Sequence, residues 1–280
     1  MCSKWGVTMA KRQGFHGLTA LVLFGFFALI CYAVAASIAL FPAADGLVTH
    51  KDSGLTVDAS HSDQGYIMVK HAATDKHLKM RITQGNDYYT YDLPSGTDFQ
   101  PFGLPFGSGK YKIQVFKQVS GKRYSNAASI SFSASLADET LPYLYPNQYV
   151  SYGEQSQAVA LAETLCKGAS TAQDKLAIIQ DYVVRNIQYD YILAISVQSG
   201  YLPDVDHVLA TGKGICFDYA ALLACMLQAV GVPAKLEIGY ADKLYHAWNS
   251  VLINDEWLHI DTTAEANNMQ VRKYTTERTY

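Results

Sequence analysis

At 280 residues and 49% hydrophobic, the chain is long enough to bury a full core and is no short disulfide scaffold. Its 22 Lys and Arg against 25 Asp and Glu give a net charge of −3, so no global positive field exists to gather nucleic acid.

The first element in chain order is the uncharged run Leu18 to Leu40. About 20 apolar residues suffice to cross a bilayer as a helix, so this run predicts a membrane segment. Lys4, Lys11 and Arg12 precede it and, as cations near a span tend to stay inside, they place everything after Pro42 outside the membrane. Ala33-Val34-Ala35 also suits a signal peptidase, so a retained single-pass anchor and a cleaved leader both stay open; either exports the remainder.

From about Asp58 to Leu136 the pattern has period two. Leu78, Met80 and Ile82 alternate with polar neighbours, as do Tyr111, Ile113 and Val115, and Ile130, Phe132 and Ala134. Turn signals such as Gln84-Gly85-Asn86 and Ser120-Gly121-Lys122 separate these strands. The region predicts a β-sandwich-like domain over residues 43–140, without the Cys, Trp, Cys hallmark of immunoglobulin domains. Residues 1–42 are then a cytoplasmic stub with the membrane segment.

Past the aperiodic stretch Ala137 to Tyr152 the period becomes helical, which opens a third region, 141–280. Ala158, Leu161 and Leu165 mark one helix. Ser170 to Gln173 reads as a capping box starting a second, with Leu176, Ile179 and Val183 as its stripe. After Gly212-Lys213-Gly214, residues Ile215 to Ala224 predict a helix apolar on nearly every side, hence buried. Gly231 and Pro233 end it, and Ala234 to Tyr240 follows as a strand.

Three cysteines, Cys166, Cys216 and Cys225, fall in the exported part. An odd number leaves at least one thiol outside any internal pair. Cys166 and Cys225 read as small buried hydrophobes, with a disulfide between them left open. Cys216 falls in the first turn of the buried helix, where unpaired N–H groups and the positive end of the dipole favour an anion such as a thiolate. His246 to Ile253 and Glu256 to Asp261 predict an antiparallel hairpin turning at Asn254-Asp255. Asp261 then faces Trp248 or, if the turn shifts by one residue, His246; both registers bring the carboxylate to within roughly 5–8 Å of the imidazole, measured between Cβ atoms. Such a carboxylate orients an imidazole, which in turn takes a proton from a thiol that attacks an amide.

The segments Gly212-Lys-Gly-Ile-Cys216-Phe-Asp-Tyr-Ala, Gly231-Val-Pro233, His246-Ala-Trp248-Asn and Trp257-Leu-His-Ile-Asp261-Thr-Thr together resemble the transglutaminase-like superfamily. The resemblance implies an α+β, papain-like transglutaminase core with Cys216 on a helix packed on an antiparallel sheet, and it assigns nucleophile, base and orienting carboxylate to Cys216, His246 and Asp261. Thr262-Thr263 departs from the Pro-Thr that often follows the Asp in this family. His259 is a rival base, two residues from Asp261. Trp248 is a candidate cleft wall, Asp218 reads as a surface carboxylate satisfying the helix dipole, and a second oxyanion donor is sought between Tyr189 and Tyr201. No metal-ligand spacing occurs and no cofactor is implied. Three functions compete: a cysteine hydrolase (peptidase or amidase) cutting extracellular or envelope peptides, an acyltransferase cross-linking glutamine to amines, and a non-catalytic surface-binding module. The expected partners are a protein or peptide substrate and, through the apolar segment, a membrane.

Overall fold

Strands that alternate apolar and polar residues have one face to bury, and the amino-terminal part of the structure pairs such faces in two antiparallel sheets. The computed structural model describes residues 40–280; the predicted membrane segment, apart from Leu40, lies outside them. Among the described residues no helix is long and apolar enough to cross a membrane.

The first eight strands are β1 (Thr49–Asp52), β2 (Leu55–Asp58), β3 (Tyr66–His71), β4 (Leu78–Gln84), β5 (Asp87–Leu93), β6 (Gln100–Gly103), β7 (Gly109–Ser120) and β8 (Arg123–Ala134). They form two four-stranded sheets, ordered β1-β2-β3-β6 and β5-β4-β7-β8. Leu55, Val57, Ile67 and Val69 of the first share one core with Met80, Ile82, Ile113 and Val115 of the second. Full burial of each such side chain is worth about 1.5–3 kcal/mol. The first hairpin starts nine residues before Asp58, where its short strands show too little alternation to be read from sequence.

The carboxyl-terminal part is helical first. Helices α1 (Gln157–Leu165) and α2 (Ala172–Asn186) are followed by strand β9 (Gln188–Tyr189) and by two short helices, α3 (Tyr191–Ser196) and α4 (Val205–Thr211). Strand β10 (Lys213–Gly214) pairs in parallel with β9 and leads into helix α5 (Cys216–Ala229). The cap of α2 is Thr171, whose hydroxyl accepts the Asp174 N–H at 3.1 Å, one residue later than the predicted capping box. Residues Asp218 to Ala229 of α5 are all buried, as its apolar circumference requires. Gly231 adopts φ +78 just beyond its end, the left-handed conformation that glycine tolerates without cost.

Strands β11 (Ala234–Ala241), β12 (Leu244–Ile253), β13 (Glu256–Ile260) and β14 (Tyr274–Thr279) form a third antiparallel sheet in the order β13-β12-β11-β14, and a one-turn helix, α6 (Thr262–Ala266), joins β13 to β14. Asn254 and Asp255 both take positive φ, the mark of a two-residue turn whose twist matches the strands. Helix α5 docks on this sheet through Asn249, whose buried amide donates to the Ala220 carbonyl at 2.9 Å and to the Lys235 carbonyl at 3.0 Å. One hydrophobic core runs from the first two sheets into α5 and β11, and all described residues fall in one contact unit.

Candidate active site

The site begins with a loop that must start a helix at a fixed point. Gly214 precedes α5 because a Cβ there would lie 2.6 Å from the Asp218 Cβ. Asp218 occupies that space: one carboxylate oxygen accepts the Ile215 N–H at 2.8 Å and the other accepts the Tyr201 hydroxyl at 2.7 Å. It is wholly buried, and that burial raises its pKa against the hydrogen bonds that lower it. The expected surface carboxylate is therefore an internal clamp, since the unpaired N-cap amide and the Tyr201 hydroxyl draw it inward. Cys216 is the first helical residue, so its own N–H has no acceptor within the helix.

The imidazole comes from β12. His246 is 3% exposed, and its Nε2 meets the Asp261 carboxylate at 2.9 Å. That bond occupies Nε2 and leaves Nδ1 for the Cys216 thiol. Burial alone would lower the pKa of His246, but hydrogen bonds to Asp261 and Cys216 and the charges on both outweigh it and raise the value to about 9. Both neighbours therefore favour the protonated ring.

Asp261 ends the hairpin. The register pairs Asn249 with Ile260, so continuing it sets Asp261 opposite Trp248, the first of the two registers anticipated. Asp261 itself leaves the strand to cap α6, accepting the Ala264 N–H at 2.9 Å through Oδ1. Its other oxygen accepts the Tyr274 hydroxyl at 2.8 Å. Burial raises its pKa, yet the hydrogen bond and charge of His246, with those of Ala264 and Tyr274, bring it below the ordinary 3.8. Thr262 and Thr263 stand where Pro-Thr was the usual pattern, and both are buried at the start of α6.

Cys216 and His246 open on one cavity of about 630 Å³, also lined by Tyr149, Tyr189, Tyr201, Phe217, Tyr245 and Arg278. Trp248 is not on its wall. It is buried behind the base, its ring stacked on the imidazole with centroids 6.3 Å apart. His259 also lies outside the cavity, its ring 4.0 Å from that of Tyr274. Burial against Tyr274 and Trp248 lowers the pKa of His259 despite the nearby Asp261 charge. Cys166 and Cys225 are free and buried, and burial raises the pKa of both thiols.

Of the side chains between Tyr189 and Tyr201, Tyr201 is committed to Asp218 and the Gln198 amide donates to the Ser196 carbonyl at 2.8 Å. Tyr189 and Ser199 both line the cavity, and neither hydroxyl is bonded to another described residue; of the two, Tyr189 is the candidate second donor. Sequence reasoning missed Tyr274 and all of β14, whose Tyr-Thr-Thr-Glu-Arg-Thr run has no apolar alternation to announce a strand. The β-branched threonines were the one available signal.

Residues 159–262 match the family model of the transglutaminase-like superfamily. No curated protein matches the chain. Among solved structures, the periplasmic domain of TgpA from Pseudomonas aeruginosa is similar at 16% identity and a TM-score of 0.38, covering 78% of this chain and 96% of that one. Legionella pneumophila LapG is similar at 17% identity and 0.32, covering 40% of this chain and 67% of that one. Red sea bream transglutaminase is similar at 12% identity and 0.32, covering 71% and 48%. Likenesses of this strength carry no argument about chemistry. The match over 159–262 is of another kind: over those residues the chain is similar to the core of the transglutaminase-like superfamily.

Proposed function

We propose that the chain is a cysteine-dependent hydrolase, a peptidase or amidase, that cuts amide bonds of extracellular or envelope peptides through a thioester. The observation that carries this reading is the 2.9 Å bond from His246 Nε2 to Asp261 at a cavity shared with Cys216. With Nε2 so held, Nδ1 takes the thiol proton and Sγ attacks the amide carbon, while the carbonyl π electrons move to oxygen. The backbone N–H of Cys216 and the Tyr189 hydroxyl serve as donors to that oxyanion. Collapse reforms the C=O bond and breaks C–N, and Nδ1 passes its proton to the departing amine. Water then enters, gives a proton to Nδ1 and attacks the thioester; the C–S bond breaks and the imidazolium-thiolate pair is restored.

Export is supported by the uncharged run 18–40 with Lys4, Lys11 and Arg12 before it. In this reading the catalytic part sits outside the membrane on a single-pass anchor, or is released if the leader is cleaved. The two amino-terminal sheets form a β-sandwich-like domain over 43–140 that shares a core with the catalytic region, 141–280. Product analysis tests the chemistry: a glutamine peptide incubated with and without an amine donor should yield free acid in both cases. An amine-linked adduct as main product would replace hydrolysis with acyl transfer, and no product with any peptide would favour a binding module.

A further inference from the structure

The cavity wall carries a cation that the proposed chemistry does not use. Arg278 lines the same cavity as Cys216 and His246 and forms no ion pair among the described residues. The carboxylate on this wall, Asp92, is already taken by Lys79 at 2.6 Å and His77 at 3.1 Å. The neighbours of the guanidinium are phenols: Tyr280, to which it is hydrogen-bonded, with Tyr245 and Tyr149 near it, and they supply no carboxylate side chain to pair its charge.

Its position is built by a defect in the sheet. The register of β14 on β11 shifts between Ile238 and Gly239, so that Gly239 pairs with Thr276 but Ile238 pairs with Arg278. Glu277 is the extra residue of a β-bulge. Strict alternation would put Arg278 on the face of Thr276, whose hydroxyl binds Glu237 at 2.6 Å; neither of those two residues lines the cavity. The bulge turns Arg278 to the face of Ile238, which does line the cavity. Bulges beside sites commonly re-aim a side chain in this way.

Ile238 pairs in turn with Ala247, the residue after the base. Arg278 is therefore two strands from β12, roughly 10 Å at the usual strand spacing, or about three residues of extended peptide. The leaving amine must sit against the imidazole that protonates it, so a group reaching Arg278 belongs to the other half of the substrate. Resting on the hydrolase reading above, we propose that Arg278 binds a carboxylate carried on the acyl half, about three residues from the amide that is cut. A guanidinium fork pairs with a carboxylate through two parallel hydrogen bonds, so the enzyme prefers acidic peptides.

Peptidyl chloromethyl ketones that differ only in Glu, Gln or Lys at each of the four positions before the electrophile test this on the 280-residue chain. Labelling of Cys216 is followed by intact mass. The Glu probe at the second to fourth position should label about tenfold faster than its Gln twin, the scale of a charge-assisted hydrogen bond. The ratio should fall to about one in Arg278→Gln, and Arg278→Glu should favour the Lys probe. Equal rates for the Glu and Gln probes in the wild type, or a preference that survives in Arg278→Gln, would overturn the assignment. If no probe labels Cys216 at all, the hydrolase reading fails, and this assignment with it.

Discussion

His246 binds its proton more tightly in the folded chain than its ordinary 6.5 would allow, and Asp261 binds one less tightly than its ordinary 3.8. The stabilisation due to His246 is therefore complete below about pH 6.5 and is lost as pH rises through about 9, while that due to Asp261 is present above about pH 4 and is lost as pH falls further. Asp261→Asn should accordingly lower Tm most between about pH 4 and 6.5, with the gap to wild type narrowing as pH falls below about 4 and as it rises through about 9. Because the Asp261 carboxylate helps raise the imidazole pKa, the same variant should move the alkaline limb of the pH-rate profile below 9; an unmoved limb would detach Asp261 from the base. Tyr189→Phe removes one of the unbonded hydroxyls on the cavity wall and should cut kcat by about 10–100-fold with little change in KM, somewhat under the loss seen for a full oxyanion donor. Cys216, His246 and Asp261, which the structure brings to one site, could be picked out in the sequence because each belongs to a short motif. Asp218 was misplaced, since sequence shows a carboxylate in a first helical turn but not the Tyr201 hydroxyl that reaches it from 17 residues away.

At the scale of elements, the buried helix and the His-Asp hairpin were readable from composition and turn chemistry: no polar face on α5, and Asn254-Asp255 between two apolar runs. What holds them together was not. Asn249 is wholly buried in β12 and ties the helix to the sheet through two backbone carbonyls, a link that its place in the His-Ala-Trp-Asn run does not announce. Asn249→Ala should cost about 1–3 kcal/mol in denaturant unfolding, because it strands buried carbonyls, and should lower activity by loosening Cys216 against His246. A change under about 0.5 kcal/mol, the range of neutral surface substitutions, would show the bridge to be incidental. Strand β14 was unreadable for the opposite reason: its residues are polar, and only pairing with β11 makes them a strand. Gly239 permits that close pairing, since a Cβ there would strike the Thr275 carbonyl.

For the molecule as a whole, the period change near residue 140 is visible in sequence, yet the core does not stop there. Tyr149 of the connector packs on Tyr280 with ring centroids 4.2 Å apart and on Phe217, next to Cys216, at 5.9 Å. Tyr91 of β5 reaches the same ring of Tyr280 at 6.1 Å, and the Thr279 N–H donates to the Tyr89 hydroxyl at 3.0 Å. Long-range aromatic contacts of this kind leave no periodic trace. They predict that residues 40–280 unfold in one calorimetric transition; two separated transitions would show that the sheets and the catalytic region fold independently. The most direct measurement is the alkylation rate of Cys216 by iodoacetamide at pH 6, where an ordinary thiol with a pKa of about 8.5 is under about 1% thiolate. The wild-type chain should react at least about tenfold faster than a free cysteine, and His246→Ala should bring the rate down to that of the free thiol. Slow labelling that ignores the loss of His246 would contradict the ion pair on which the whole mechanism stands.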